Sequence, residues 1–267
     1  MTRMQYAALH LNREHKRFCE ITGCRPEEIV IAGGAIASLL LGEKPKDYDF
    51  YFLRPQHHWN IIKRLIPDGI DYSVNNTSGI DLKLDWAFRR IDAEDVLPER
   101  FCDMGIRPTF ITENAITFDC GWQVVTKFGS LTTHEIVNNF DFAHTQMLWD
   151  GRQIDGYTTP AFRSLATRDL HYQGSKYPLA SLFRSKKFQN RGWNLPVGEM
   201  LKIVMDIQQF DLSDPMVLKE QLVGIDVAYL SALLCMLRER NDPVDVAWLT
   251  EVLDKLSESV PYQETED

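Results

Sequence analysis

The stretch that decides the fold is IAGGAIASLLLGEKPKDYDFYF, Ile31 to Phe52. With the residues just before it, EIVIAGG reads as a short apolar strand that stops at the pair Gly33-Gly34, and AIASLLLG as a short helix closed by Gly42. DYDFYFL then alternates as a strand should, placing Asp47, Asp49 and Tyr51 on one face and Phe50 and Phe52 on the other, toward a core. Two aspartates separated by one residue are close enough on a strand to ligate one or two divalent cations. A glycine pair at the start of a helix lets backbone N–H groups approach a phosphate. Each feature alone is commonplace, an exposed strand end or a tight turn; their order and spacing carry the signal.

Working outward, the first 24 residues have apolar residues at helical spacing and end near a glycine, which predicts an amphipathic helix. QHHWNIIKRLIPDG predicts another helix, and DLKLDWAFRRID, RPTFITENAITF and WQVVTKFG predict strands, with a tight turn at FDCGW. From TTHEIVNNFDFAHTQMLW onward the pattern is mostly helical, interrupted by a loop at DGRQIDGYTTP. Helices are expected through YPLASLFRSKKFQNRGW, GEMLKIVMDIQQF, DVAYLSALLCMLRER and DVAWLTEVLDKLSE, and a frayed acidic tail at PYQETED. The composition shifts near residue 155, so two domains are expected, 1–155 and 156–267. Adjacent His57 and His58 point apart on a helix, which argues against a metal site there.

The 267 residues carry a net charge of −9 and 44% hydrophobic residues, the composition of a globular protein rather than a basic nucleic-acid coat. Five scattered cysteines without a C-x-x-C pair indicate neither a disulfide framework nor structural zinc, and fit a reducing, cytoplasmic setting. No leader-like segment opens the chain, and its longest apolar runs fall short of the ~20 residues that span a bilayer.

Gly33-Gly34, the LLLG of Leu39–Gly42, and Asp47-Tyr48-Asp49 together resemble the head-domain signature of the polymerase-beta-like nucleotidyltransferase superfamily, in particular its tRNA CCA-adding and bacterial poly(A) polymerase branch. NNFDFAHTQMLWDGRQID, Asn138 to Asp155, is similar to that branch's Arg-Arg-Asp-Phe stretch, and YPLASLFRSKKFQNRGW, Tyr177 to Trp193, to its Pro-Leu helix. The resemblance runs over about residues 29 to 193 and implies an α+β head with a mixed or antiparallel sheet, followed by an all-helical C-terminal region.

It further implies a Mg²⁺-dependent transfer of NMP from an NTP to a hydroxyl acceptor, an RNA 3′ end by analogy with the branch. Asp47 and Asp49 would hold two metal ions, Gly33 and Gly34 with Ser38 would face the triphosphate, and Arg184 and Lys187 would add basic contacts. Asp141, at the branch's own motif, or Asp85, in strand context with Lys83 and Ala87, would be the supporting acid. The ordinary reading of Asp141 is a helix cap, and of Asp85 a strand residue paired with Lys83 or Arg89. The chain departs from the branch at Ala37-Ser38, where Arg-Asp is usual, at Asn139-Phe140, where arginines are usual, and at Gln123, which stands at the acidic position of the next strand. Those departures keep two alternatives open: nucleotidylation of a protein or small molecule, and a non-catalytic NTP-binding protein that retains the fold.

Overall fold

The structure, a computed structural model, describes residues 1–84, 88–129, 131–156, 158–222, 245, 247, 248, 250–252 and 254. The chain divides into two compact units, residues 1–165 and 166–267. In chain order the first unit runs α1 (Arg3–Thr22), β1 (Ile29–Ala32), α2 (Gly34–Leu41), β2 (Tyr48–Phe52), α3 (Pro55–Leu65), β3 (Asp71–Val74), β4 (Ile80–Lys83) and β5 (Phe88–Arg90). It continues through α4 (Glu99–Met104), β6 (Pro108–Thr112), β7 (Ala115–Phe118), β8 (Trp122–Val125), α5 (Thr133–Asn138), β9 (Leu148–Trp149), β10 (Ile154–Asp155) and α6 (Thr159–Thr167), whose last residues pass the boundary.

Eight strands form one mixed sheet in the order β10-β9-β1-β2-β8-β7-β6-β5, and β3 and β4 form a separate hairpin. β2 lies at its centre, antiparallel to β1 and parallel to β8. The protein is thus α+β. Alternation on β2 separates two faces: Phe50 is fully buried and stacks on Phe18 of α1 at 4.1 Å between ring centroids, with Trp122 edge-on to Phe50 at 5.6 Å. Such pairs contribute roughly 0.5–1.5 kcal/mol each beyond the apolar area they bury. The buried Trp122 indole donates to Glu14 Oε2 at 3.1 Å, so α1 is tied to the sheet by both packing and a hydrogen bond. Helix α1 itself starts at a capping box, Thr2 with Gln5, and stops at Gly23 in the left-handed region.

In the second unit the described residues form α7 (Pro178–Asn190), α8 (Val197–Ile207) and α9 (Pro215–Gln221), with one isolated bridge between Asp169 and Asn194. Tyr172 pins the segment before α7 to α8: its N–H donates to Glu199 Oε2 at 2.8 Å and its hydroxyl to Asp206 Oδ2 at 2.9 Å. The helix expected in DVAYLSALLCMLRER lies outside the described residues, as does part of that expected in DVAWLTEVLDKLSE.

The structure differs from the sequence reading in the short pieces. TTHEIVNNFDFAHTQMLW is helical only over Thr133–Asn138 and in one 3₁₀ turn, Ala143–Thr145, before Leu148–Trp149 joins the sheet beside β1. The expected loop after it contains β10, paired with β9. DLKLDWAFRRID divides between the β3–β4 hairpin and β5, and DYSV, read as nothing in particular, is the hairpin's first strand. Two- to four-residue strands are set by the partner they meet, so periodicity does not reveal them. Among the described residues no helix is long and apolar enough to cross a membrane.

Candidate functional site

The site is built where β1 ends, α2 begins and β2 passes alongside. Every residue of β1 is buried, so the chain must turn sharply to leave the sheet. Gly33 makes that turn at φ 86, ψ −146, a conformation essentially confined to glycine. A Cβ at this position would lie 2.7 Å from the Phe140 ring and 3.4 Å from Asp49 Oδ2, so the missing side chain is what lets the strand-to-helix turn meet both groups. The Gly33 N–H donates to Met147 O at 3.0 Å, so the N–H groups left for the phosphate cradle that the sequence suggests begin at Gly34, in the first turn of α2. Gly42 ends α2 in the left-handed region, with its N–H on Leu39 O at 3.0 Å.

Asp49 stands opposite Ala32 of β1 on one side and opposite Gln123 of β8 on the other. Paired residues of adjacent strands share a face, so Asp49 and Gln123 are side-by-side neighbours. Gln123 in turn is paired with Thr117 of β7 and donates from Nε2 to Thr117 Oγ1 at 3.1 Å. Asp47 precedes β2 and is half-exposed; the adjacent Tyr48 N–H is held by Gly121 O at 2.8 Å, which fixes the approach to the strand. Tyr51, two residues beyond Asp49, packs with Phe140 against the buried cluster of Val30, Ala32, Ile136, Val137 and Leu148, its ring edge-on to Phe140 at 6.3 Å. Burial, and secondarily the Asp49 charge, push the Tyr51 hydroxyl well above its usual range, so it stays protonated. The Tyr51 ring is therefore engaged within the protein.

The other sequence candidates are dispersed. Asp141 follows Phe140 directly, is 5% exposed and lies two residues before the 3₁₀ turn Ala143–Thr145. Ser38 is buried on α2, one turn in from Gly34. Arg184 and Lys187 lie on α7 in the second unit, where Arg184 Nη2 donates to Ser181 Oγ at 3.4 Å and Lys187 is exposed. Asp85 lies outside the described residues. His57 is exposed while the buried His58 sits 3.2 Å from Glu28 Oε2, so the two histidines do point apart. Sequence reasoning missed Phe140 as the ring over Gly33 and Thr117 as the anchor of Gln123. The alternation of PTFIT and AITF around their turn was the available signal for the second.

The donor set tests the expected pair of Mg²⁺ ions. Mg²⁺ takes oxygen ligands and is usually bound through one or two carboxylates with water and substrate phosphates completing its shell. Asp47 and Asp49 suit one such ion. Among the described residues no group of three His, Cys, Asp or Glu side chains comes together to hold a metal, and the neighbour facing Asp49 is a neutral amide. Position 123, beside Asp49, therefore adds no carboxylate to Asp47 and Asp49.

The first unit thus sets a glycine turn into a helix beside a central strand, with Asp47 just before that strand and Asp49 on it. The chain belongs to the Gabija anti-defense 2 (Gad2) family, whose model matches residues 6–168. No curated protein matches the chain. Among solved structures, the Thermotoga maritima CCA-adding enzyme complexed with tRNA aligns with 86% of this chain and 50% of its own at 12% identity and a TM-score of 0.46. A tRNA-processing enzyme with CTP aligns with 94% of this chain and 59% of its own at 14% identity and a TM-score of 0.44. The Bacillus stearothermophilus CCA-adding enzyme in complex with CTP aligns over 87% and 52% at 13% identity and a TM-score of 0.42. The chain thus spans a little over half the length of these structures, and its family carries a name unrelated to tRNA processing.

Proposed function

We propose that this Gad2-family protein binds an NTP at the corner between Gly34 and Asp49 and transfers NMP to a hydroxyl group on a component of the Gabija defence that its family is named for opposing. The observation that carries this reading is the approach of Asp49 Oδ2 to within 3.4 Å of the Cβ position that Gly33 leaves empty, which sets a carboxylate beside the start of a helix. The Gly34 end of α2 offers N–H groups and the positive end of the helix dipole to the phosphates. Asp47 and Asp49 would hold a Mg²⁺ that neutralises triphosphate charge. In the transfer the acceptor oxygen bonds to the α-phosphorus, the α–β phosphoanhydride breaks, pyrophosphate leaves with the bonding pair, and the hydroxyl proton goes to solvent. The family's name and the chain's net charge of −9 favour a protein acceptor over the RNA 3′ end that the sequence resemblance implies.

The test is incubation with each α-labelled NTP and purified Gabija components, followed by mass spectrometry for an added nucleotide. Asp49→Asn is expected to lower transfer by at least about a hundredfold, the scale of a removed electrostatic stabiliser; full transfer by that variant would exclude this site. A second reading, an NTP-binding protein without transfer, is favoured by the neutral Gln123 facing Asp49. Calorimetry that shows tight NTP binding, together with no label on any acceptor, selects it.

A further inference from the structure

We infer that the row Asp49–Gln123–Thr117 limits the site to a single divalent cation, with Gln123 as the residue that sets this number. The inference rests on the proposed NTP site and concerns its metal content. The three residues are consecutive neighbours on one face across β2, β8 and β7, paired Asp49 to Gln123 and Gln123 to Thr117. An acid at position 123 would stand beside Asp49 and let the two carboxylates bridge a second ion. Gln123 is isosteric with glutamate but brings no charge. Its Nε2 is committed to Thr117 Oγ1 at 3.1 Å, which turns the amide toward β7.

Ligands decide the number of ions. Two Mg²⁺ or Mn²⁺ ions would have to share Asp47, Asp49 and the triphosphate oxygens, with no carboxylate at position 123 to bridge them. A nucleotide's phosphates must complete the shell of even the first ion. Among the described residues no further acid joins the two aspartates. The consequence is a site that binds a metal-bound nucleotide firmly while lacking the second ion that would activate an attacking hydroxyl, so any transfer it performs is slow. Thr117 is then a positioning residue: it holds the amide in place and touches neither ligand nor metal.

The experiment counts Mn²⁺ by electron paramagnetic resonance on the full chain with a non-hydrolysable NTP analogue, and counts bound nucleotide by equilibrium dialysis in the same samples. The expected result is one Mn²⁺ per bound nucleotide for the wild type and for Gln123→Ala. Gln123→Glu is expected to take up a second, with half-saturation at a Mn²⁺ concentration about tenfold or more lower than any second uptake by the wild type. Two ions per nucleotide in the wild type, or one in a folded Gln123→Glu, would overturn the inference while leaving the nucleotide site standing. Failure to retain the nucleotide at all would remove both. A near-ultraviolet circular dichroism spectrum like the wild type's establishes that each variant is folded.

Discussion

At the residue scale, Gly33 shows how one sequence feature serves two ends. Read in the sequence, the glycine pair signified room for a phosphate; in the fold, Gly33 is required by its φ of 86 and by the Phe140 ring 2.7 Å from where a Cβ would be. The two requirements separate experimentally. Gly33→Ala is expected to destabilise the protein by about 2 to 4 kcal/mol in urea unfolding, from backbone strain and overpacking together. In the double variant with Phe140→Ala the steric part is relieved and the strain part remains, so the extra cost of the alanine at 33 should fall to about 1 to 3 kcal/mol. An unchanged cost would mean that the ring is not what demands glycine there. The strand, the turn and the aspartates were legible because each is a local pattern. Phe140 was not, because it lies more than a hundred residues from the glycine it covers.

At the element scale, helices α1 and α3 each bring a buried histidine against the chain at the start of β1. His15 Nε2 lies 3.1 Å from Ile29 O, and its ring packs where Gly151 leaves no side chain. His58 lies 3.2 Å from Glu28 Oε2, just before β1. Burial lowers the pKa of both, outweighing the carbonyl and carboxylate beside them, so both are favoured as neutral rings in the folded state. With the folded value below the unfolded one near 6.5, the unfolded chain binds more protons in the window beneath it. Stability is therefore full above about pH 7 and falls as the pH drops through 6.5, by up to about 1.4 kcal/mol per pH unit for each histidine. Urea midpoints between pH 5 and 7.5 check this, and His15→Gln is expected to flatten the dependence; an equal slope in that variant would place the titration elsewhere. The long amphipathic helix of the first twenty residues and the alternating β2 could be read from periodicity because each buries one whole face. β9 and β10, two residues each, could not: their pairing with β1 is decided by the chain that returns to it.

At the scale of the whole molecule, the composition shifts near residue 155, and the ten strands among the described residues all lie between Ile29 and Asp155. The acceptor was not legible at any scale, since nothing in the spacing of Asp47, Asp49 and Gly33 bears on what approaches them. The first unit, residues 1–165, holds the eight-stranded sheet, the α1 packing of Phe18 on Phe50 and Trp122, and the whole glycine–aspartate corner. A unit with its own aromatic core and sheet has what independent folding needs, at a size where roughly two-thirds of the unfolded chain's surface is buried. A fragment of residues 1–165 is therefore expected to unfold in one cooperative urea transition, with the fluorescence change of the buried Trp122 coinciding with loss of far-ultraviolet ellipticity. Non-coincident, gradual curves would show that this core depends on the rest of the chain. The Mn²⁺ count on a cooperatively folded fragment then locates the metal: the same single ion per nucleotide as the full chain places every necessary donor before residue 166, whereas a lost ion shows that a necessary donor lies beyond it.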